Sequence, residues 1–405
     1  MSETFLINIL IMLVLAVILG EIFHRIKLPS LVGHLLAGVI IGPSVLNIVQ
    51  PSESFSIVID LAVFFLMFLA GLELRPEEII KAGKKSFFLS VISFVIPFVA
   101  GTLVSDLLGF SLITSFFVGL TLAITAIPVS AVILMEFGLL KSRLGNTVMT
   151  AGVIDDILSL IVLAIIIQLS HNGIEELDYG EVGFSIFKII AFLLGIFAFD
   201  LVIRKKGKWL PNKIKSVSEK LKTREVGFAL LLISGFGLSI IAEKVGLHFV
   251  IGTFFAGLIV YKQIIGNDNF DKVNVVFSAI TFGLFSPIFF AFIGTEFHIQ
   301  SIINELPLFI LLLAVAIAGK LSGGFIGGRI AGFSKSESMA IGHLVNARGM
   351  VELVIASIGL ELGIIDLPLF SVIVAVGFAT TIIAPIMARV SLKRSRVLRD
   401  DTNMT

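Results

Sequence analysis

The sequence contains no cysteine, and only 15% of its 405 residues are charged. Without cysteine there is no disulfide, no thiolate metal site and no cysteine nucleophile. The shortage of charge excludes more. Soluble domains run about 25% charged and about 45–50% apolar. This chain is 57% hydrophobic with a mean hydropathy of +1.08. A soluble fold of this length needs a polar skin that these residues do not supply. A cytosolic enzyme, a disordered chain and a nucleic-acid binder are therefore excluded. The net charge of +1 carries no signal for a polyanionic partner. Also missing are a phosphate loop, a nucleotide fingerprint and a serine nucleophile elbow. His34, His171, His248, His298 and His343 are scattered and have no metal-ligand spacing. What the chain has in quantity is 37 phenylalanines and 37 glycines, which suit helices packed in lipid.

A membrane span needs about 20 mostly apolar residues, and about thirteen such stretches follow one another. They are 5–23, 30–48, 56–72, 86–108, 111–136, 146–169, 184–203, 226–243, 247–262, 273–294, 307–328, 337–360 and 368–390. The first has no Lys or Arg before it and no small-residue cleavage site after it, so it reads as a retained helix. Basic residues mark cytoplasmic loops. They follow span one (Arg25, Lys27), three (Arg75, Lys81, Lys84, Lys85), five (Lys141, Arg143) and seven (the run from Arg204 to Arg224). They recur after nine (Lys262, Lys272), eleven (Arg329, Lys335) and thirteen (Arg389 to Arg399). The opposite loops hold essentially Lys244, and one is acidic, with Glu175, Glu176, Asp178 and Glu181. The alternation predicts an outer N-terminus and a cytoplasmic C-terminus.

The chain also repeats itself. LPSLVGHLLAGVI at 28–40 matches LHFVIGTFFAGLI at 247–259, so Gly33, Ala37 and Gly38 align with Gly252, Ala256 and Gly257. Gly71 and Glu73 align with Gly294 and Glu296, and Glu136-Phe137-Gly138 with Glu361-Leu362-Gly363. The offset drifts only from about 219 to about 225 residues. Seven spans separate the copies. That number is odd, so the second copy lies upside down. The repeats are about 5–169 and 226–392, with 184–203 as a linker helix. Inverted repeats are the architecture of many secondary transporters, whose substrate sits near the midplane on interrupted helices.

A few charges lie where lipid should forbid them. Asp155 and Asp156 fall mid-span in six, Lys320 mid-span in eleven, Arg348 and Glu352 within twelve. By insertion scales each costs about 2.5–3.5 kcal/mol at a helix centre, so such residues are functional candidates. Adjacent helix positions point about 100° apart. One aspartate can then meet a fixed cation, for which Lys320 is the candidate, while the other lines a cavity. Glycines 319, 323, 324, 327 and 328 would let neighbouring helices close on Lys320. Arg348 and Glu352 are four apart and can pair, with a structural or gating role. Pro128 interrupts span five, and its repeat partner is interrupted near Asn346 to Gly349. Thr125 and Ser130 add hydroxyl oxygens. Carboxylate, hydroxyl and carbonyl oxygens suit a small hard cation. Asp155 and Asp156 stand opposite Thr380 and Thr381, so the scaffold is doubled and the acidic pair is not. One cation site per chain is expected.

LPSLVGHLLAGVIIGPS at 28–44, FLAGLEL at 68–74, ITAIPVSA at 124–131, AGVIDD at 151–156 and the buried Lys320 together resemble a known family. The chain resembles the sodium/proton antiporters of the monovalent cation:proton antiporter superfamily, with the NhaA/NapA fold, and NapA-type and Kef-type members in particular. The resemblance implies an all-α polytopic membrane protein with two inverted repeats and crossing broken helices. It implies a moving core (about 86–169 and 307–390) and dimer or scaffold helices (about 5–72 and 226–294) in a homodimer. It makes Asp156 the main cation and proton carrier and pairs Asp155 with Lys320. It implies electrogenic exchange of sodium or lithium for protons, with no cofactor beyond those ions and no ATP. A prokaryotic inner membrane is the implied location. Kef-type members usually carry an amide in place of the first aspartate and a C-terminal nucleotide-binding domain. This sequence has Asp155 and ends soon after span thirteen, so no soluble regulatory domain is expected. Oxygen ligands do not separate sodium from potassium, so potassium/proton antiport is the alternative. A sodium-coupled organic-anion symporter, from another class, would not need an Asp-Asp-Lys set.

Overall fold

The computed structural model describes residues 3–26, 28–73, 83–172, 184, 187–188, 191–192, 194–196, 198, 226–259 and 267–394. The acidic loop 175–181, the basic run 204–224, most of the linker helix 184–203 and Lys27, Arg75, Lys81 and Lys262 lie outside the described residues. Regular structure among the described residues is helical throughout.

The N-terminal half contains α1 (Glu3–Arg25), α2 (Ser30–Ile41), α3 (Ser56–Glu73), α4 (Gly83–Leu107), α5 (Leu112–Ala123), α6 (Ile127–Glu136) and α7 (Arg143–Asn172). The C-terminal half contains α8 (Val226–Lys244), α9 (Phe249–Ile259), α10 (Asn267–Ile280), α11 (Ser286–Glu296), the short α12 (Ile299–Asn304), α13 (Leu306–Ile330), α14 (Lys335–Leu344), α15 (Met350–Glu361) and α16 (Leu367–Arg394). A π-helical turn, Thr281–Phe285, joins α10 to α11.

Span two is shorter than its apolar run. α2 has 12 residues, about 18 Å at 1.5 Å per residue, against about 30 Å of hydrocarbon. Pro43 is the cause, because the residue before a proline is pushed out of helical geometry. Gly42 is extended at φ −76°, ψ −177°. The chain then doubles back. The amides of Leu46 and Ile48 donate to the carbonyls of Ile40 and Ile41, at 2.9 and 2.8 Å, so the helix end keeps its partners.

Two compact units can be separated. One contains residues 1–52, 77–163 and 290–405; the other contains 53–76 and 164–289. The second unit has an aromatic-rich core cluster. Phe65 stacks on Phe277 and Phe285, with centroids 4.9 and 4.5 Å away. Phe64 stacks on Phe236 at 4.2 Å. The first unit has an aliphatic core in which Leu89, Val129, Ile133, Val148, Ile341 and Ala384 pack together.

The repeat is written into backbone contacts. A Cβ on Gly38 would lie 1.8 Å from the Ala291 carbonyl oxygen, and one on Gly257 2.1 Å from that of Phe68. A Cβ on Gly71 would meet the Phe254 carbonyl oxygen at 2.0 Å, and one on Gly294 that of Leu35 at 2.2 Å. Each second contact is the first one carried through the repeat. The turns agree as well. Gly109 and Gly332 have φ of +87° and +86°, and Gly138 and Gly363 of +68° and +66°. Only glycine adopts these angles without strain. Gly101 packs on Gly119 as Gly324 packs on Gly342, which brings α4 against α5 and α13 against α14.

Gly38→Ala and Gly257→Ala should each destabilise the fold by about 1–3 kcal/mol, since the added carbon meets backbone that cannot step aside. Gly237→Ala has nothing within 4 Å of the added carbon and should gain up to about 1 kcal/mol in helix propensity. Thermal unfolding in detergent checks all three.

Candidate ion site at the crossing of two interrupted helices

The first interruption lies between α5 and α6. Ile124 and Ala126 are extended, and α6 opens with Pro128 in its first turn. The sequence places the break at Pro128 itself. The structure puts it just before. There the proline lacks only an amide that would have no helical partner. The second interruption, residues 345–349, follows α14 and precedes α15, close to where the sequence places it. The capping box Ser334/Glu337 fixes the start of α14.

The two breaks satisfy each other. Ala126 N donates to Ala347 O at 2.7 Å. Ser130 Oγ donates to Leu344 O at 2.7 Å, and Thr125 Oγ1 lies 3.0 Å from Val345 O. In the other direction, Arg348 Nη2 donates to Leu122 O at 2.6 Å and Nη1 to Thr121 O. The guanidinium thus caps the last turn of α5, where the helix dipole is negative. Arg348 itself lies in the break, not on a helix. Its pairing with Glu352 nevertheless forms, at 3.0 Å, with both side chains fully buried.

Beside this crossing runs α7. Asp155 is fully buried, and its Oδ2 lies 2.9 Å from Lys320 Nζ. Thr125 Oγ1 approaches the same oxygen at 2.7 Å and takes a 2.7 Å hydrogen bond from Lys320 Nζ. The hydroxyl has one proton, to be shared between Asp155 and Val345 O. Asp155 Oδ1 is buried and accepts no hydrogen bond. Asp156, the next residue on α7, is buried with 5% of its surface exposed.

Lys320 reaches this point because its glycines let α13 close on its neighbours. Cβ atoms on Gly319 and Gly323 would lie 2.9 Å from the Cα atoms of Pro97 and Ser93 on α4. One on Gly324 would lie 2.6 Å from the Cα of Gly342 on α14. The glycine pattern around the lysine is therefore packing, as the sequence indicates.

Of the sequence-derived candidates, the structure joins Asp155, Lys320 and Thr125 directly. The hydroxyl of Ser130 is spent on bracing the crossing. Thr381 was visible only as the repeat counterpart of Asp156, yet its hydroxyl, shared between Gly377 O at 2.7 Å and Arg348 O at 2.9 Å, links α16 to the second break. Asn346 carries no sequence signal beyond its place in the break. Its side chain is buried there, and Oδ1 has no donor. Among the described residues no group of three or more His, Asp or Glu is arranged to hold a resident metal ion. The arrangement is instead one compensated carboxylate, one further carboxylate and helix-break oxygens, which can exchange a proton against a monovalent cation.

The family model described as sodium/hydrogen exchanger, transmembrane, matches residues 10–394. The chain belongs to the sodium/hydrogen exchanger family. It is 33% identical over 389 residues to the "Probable Na(+)/H(+) antiporter 3" of Methanocaldococcus jannaschii, covering 96% of both chains. It is 31% identical over 389 residues to the "Na(+)/H(+)-K(+) antiporter GerN" of Bacillus cereus, again covering 96% of both. Its structure matches that of the sodium proton antiporter MjNhaP1 from M. jannaschii with a TM-score of 0.68. At 18% identity over 96% of this chain and 97% of that one, the match is one of fold. This exchanger-family chain is an integral membrane protein, and six described helical stretches, among them α1, α13 and the continuous run Val273–Glu296 through the π turn, are long and apolar enough to cross a bilayer.

Removing one partner of a buried ion pair leaves an uncompensated charge and costs about 3–5 kcal/mol. Lys320→Ala should therefore lower stability by that amount. The double variant Asp155→Asn/Lys320→Ala should recover most of the loss. Denaturation of the purified protein in detergent measures both.

Proposed function

We propose that the chain is a sodium/proton antiporter, with lithium as a further substrate, working by alternating access. The Asp155–Lys320–Thr125 cluster at the crossing of two interrupted helices carries this reading, in a chain whose family exchanges sodium for hydrogen ions. Protons and cation compete for the aspartate pair. Asp156 is the primary carrier, and Asp155, held by Lys320 and Thr125, tunes it. An occupied site is neutralised, so the helices that carry it can pass the hydrophobic barrier. An empty site carries a bare charge that the low-dielectric interior opposes. Arg348, Glu352, Pro128 and Ser130 keep the crossing intact while this happens.

The finer reading follows the sequence resemblance. The chain is NapA-like, with α4–α7 and α13–α16 as the moving core and α1–α3 and α8–α11 as the dimer scaffold of a homodimer. Exchange is electrogenic, because two aspartates and one lysine can bind more protons than sodium ions. The N-terminus faces outward in a prokaryotic inner membrane. Potassium is the second reading for the exchanged ion, supported by the name of the B. cereus relative, "Na(+)/H(+)-K(+) antiporter GerN". Antiporter names among relatives at 28% and 33% identity favour exchange over sodium-coupled organic-anion symport.

Proteoliposomes with an internal pH dye provide the test. Asp156→Asn should abolish sodium-dependent proton flux; full activity in that variant would sink the assignment. In the wild type, competition means that acidification raises the apparent KM for sodium. The slope is about tenfold per pH unit for each competing proton. Lys320→Ala should move this pH profile more than it lowers the maximal rate. Repeating the series with lithium and potassium separates the cation readings.

A further inference from the structure

Among the described residues, the exchange scheme leaves one buried acid without a titration role. Glu352 sits in the first turn of α15, fully buried. Its Oε1 accepts from Arg348 Nη1 at 3.0 Å. Its Oε2 is equally buried and accepts no hydrogen bond. Arg348 does not depend on Glu352 alone, because the carbonyls of Thr121 and Leu122 also hold its terminal nitrogens. Beside the carboxylate the packing leaves a gap with room for about one water. Leu31, Leu35, Gly349, Glu352, Gly377 and Thr381 line it. Gly377 leaves that space, since a Cβ there would lie 3.1 Å from Oε2.

The repeat gives this corner its meaning. Thr381 stands where the first repeat has Asp156, and Arg348 where it has Thr125. The second break therefore has its own acid, supplied from a different helix. We propose that Glu352 is a second proton-binding site, separate from Asp155 and Asp156 and served by a water in the gap beside Gly377 and Thr381. A hydronium in the gap gives its proton to Oε2. One O–H bond breaks on the hydronium, one forms on the carboxyl, and water remains. Arg348 then stays on the two α5 carbonyls, and the charge of the crossing rises by one without any change at the cation's carboxylates. The charged groups facing Glu352 are few. Arg348 comes from its own segment, while α2 and α16 present Leu31, Leu35, Gly377, Phe378 and Thr381, all uncharged. Lys320 on α13 acts at longer range. The part this site plays in transport rests on the antiport reading; proton binding by Glu352 does not.

Infrared pH-difference spectra of the reconstituted full chain test the site without needing transport. The wild type should show a protonated-carboxyl band that Glu352→Gln removes, Gly377→Ala displaces and Asp156→Asn retains. The amide oxygen of Glu352→Gln can still accept from Arg348. If that variant fails to fold, Gly377→Ala carries the test alone. In flux assays Glu352→Gln should make the pH dependence shallower by about one proton. A wild-type spectrum in Glu352→Gln or in Gly377→Ala would overturn the proposal, and an unchanged pH slope would overturn the site's part in transport. No cation-dependent proton flux in the wild type, with the Glu352 band still lost on mutation, would instead overturn the antiport reading and leave the site standing.

Discussion

A peptide group opened inside a bilayer has no water to turn to. An unsatisfied one costs several kcal/mol, so irregular backbone survives at membrane depth only where protein supplies its partners. This chain opens two helices, between Ala123 and Ile127 and between Leu344 and Met350, and makes each opening the partner of the other. The hydrogen bonds from Ala126, Ser130 and Arg348 all cross from one break to the opposite one. Neither break is stable alone, and the crossing follows from that.

The same constraint governs the charges. A lysine at the centre of α13 is tolerable because Asp155 and Thr125 receive it within 2.9 Å and because glycines let α13 close against its neighbours. An arginine in the second break is tolerable because it caps α5 and meets Glu352. The two clusters are built differently. The lysine cluster meets its acid from a neighbouring helix and has a second carboxylate beside it. The arginine cluster meets its acid four residues on and is tied down by backbone. The first is suited to exchanging a cation during a cycle, and the second to keeping the breaks together whether or not Glu352 carries a proton, because the α5 carbonyls hold Arg348 as well.

Much of this is legible in the sequence because close packing leaves a mark that composition cannot hide. Gly38, Gly71, Gly257 and Gly294 lie where two backbones touch, so their register reports the repeat directly. Asp155, Asp156 and Lys320 are legible because charge inside an apolar run has no bland explanation. Other features are hidden. The run 30–48 is apolar throughout, and only Pro43 hints that the helix stops at Ile41. Ser130 looks like an ion ligand by type, but which acceptor a hydroxyl chooses depends on the carbonyls another segment brings to it. Thr381 and Asn346 are ordinary polar residues until the fold sets them against a break.

The doubling of the scaffold has a chemical consequence. The two breaks each have a negative helix end and a positive one, and these ends need not be used alike. At α5, Arg348 has taken the negative end. At α14, neutral donors, Ser130 and Thr125, meet the corresponding carbonyls. The cationic cap leaves one crossing region firmly compensated. The neutral cap leaves the other, beside Asp155 and Asp156, free to gain or lose positive charge without breaking the fold. In the proposed exchange scheme, the asymmetry between Arg348 and Thr125 is what would leave a single exchangeable cation site on a doubled scaffold.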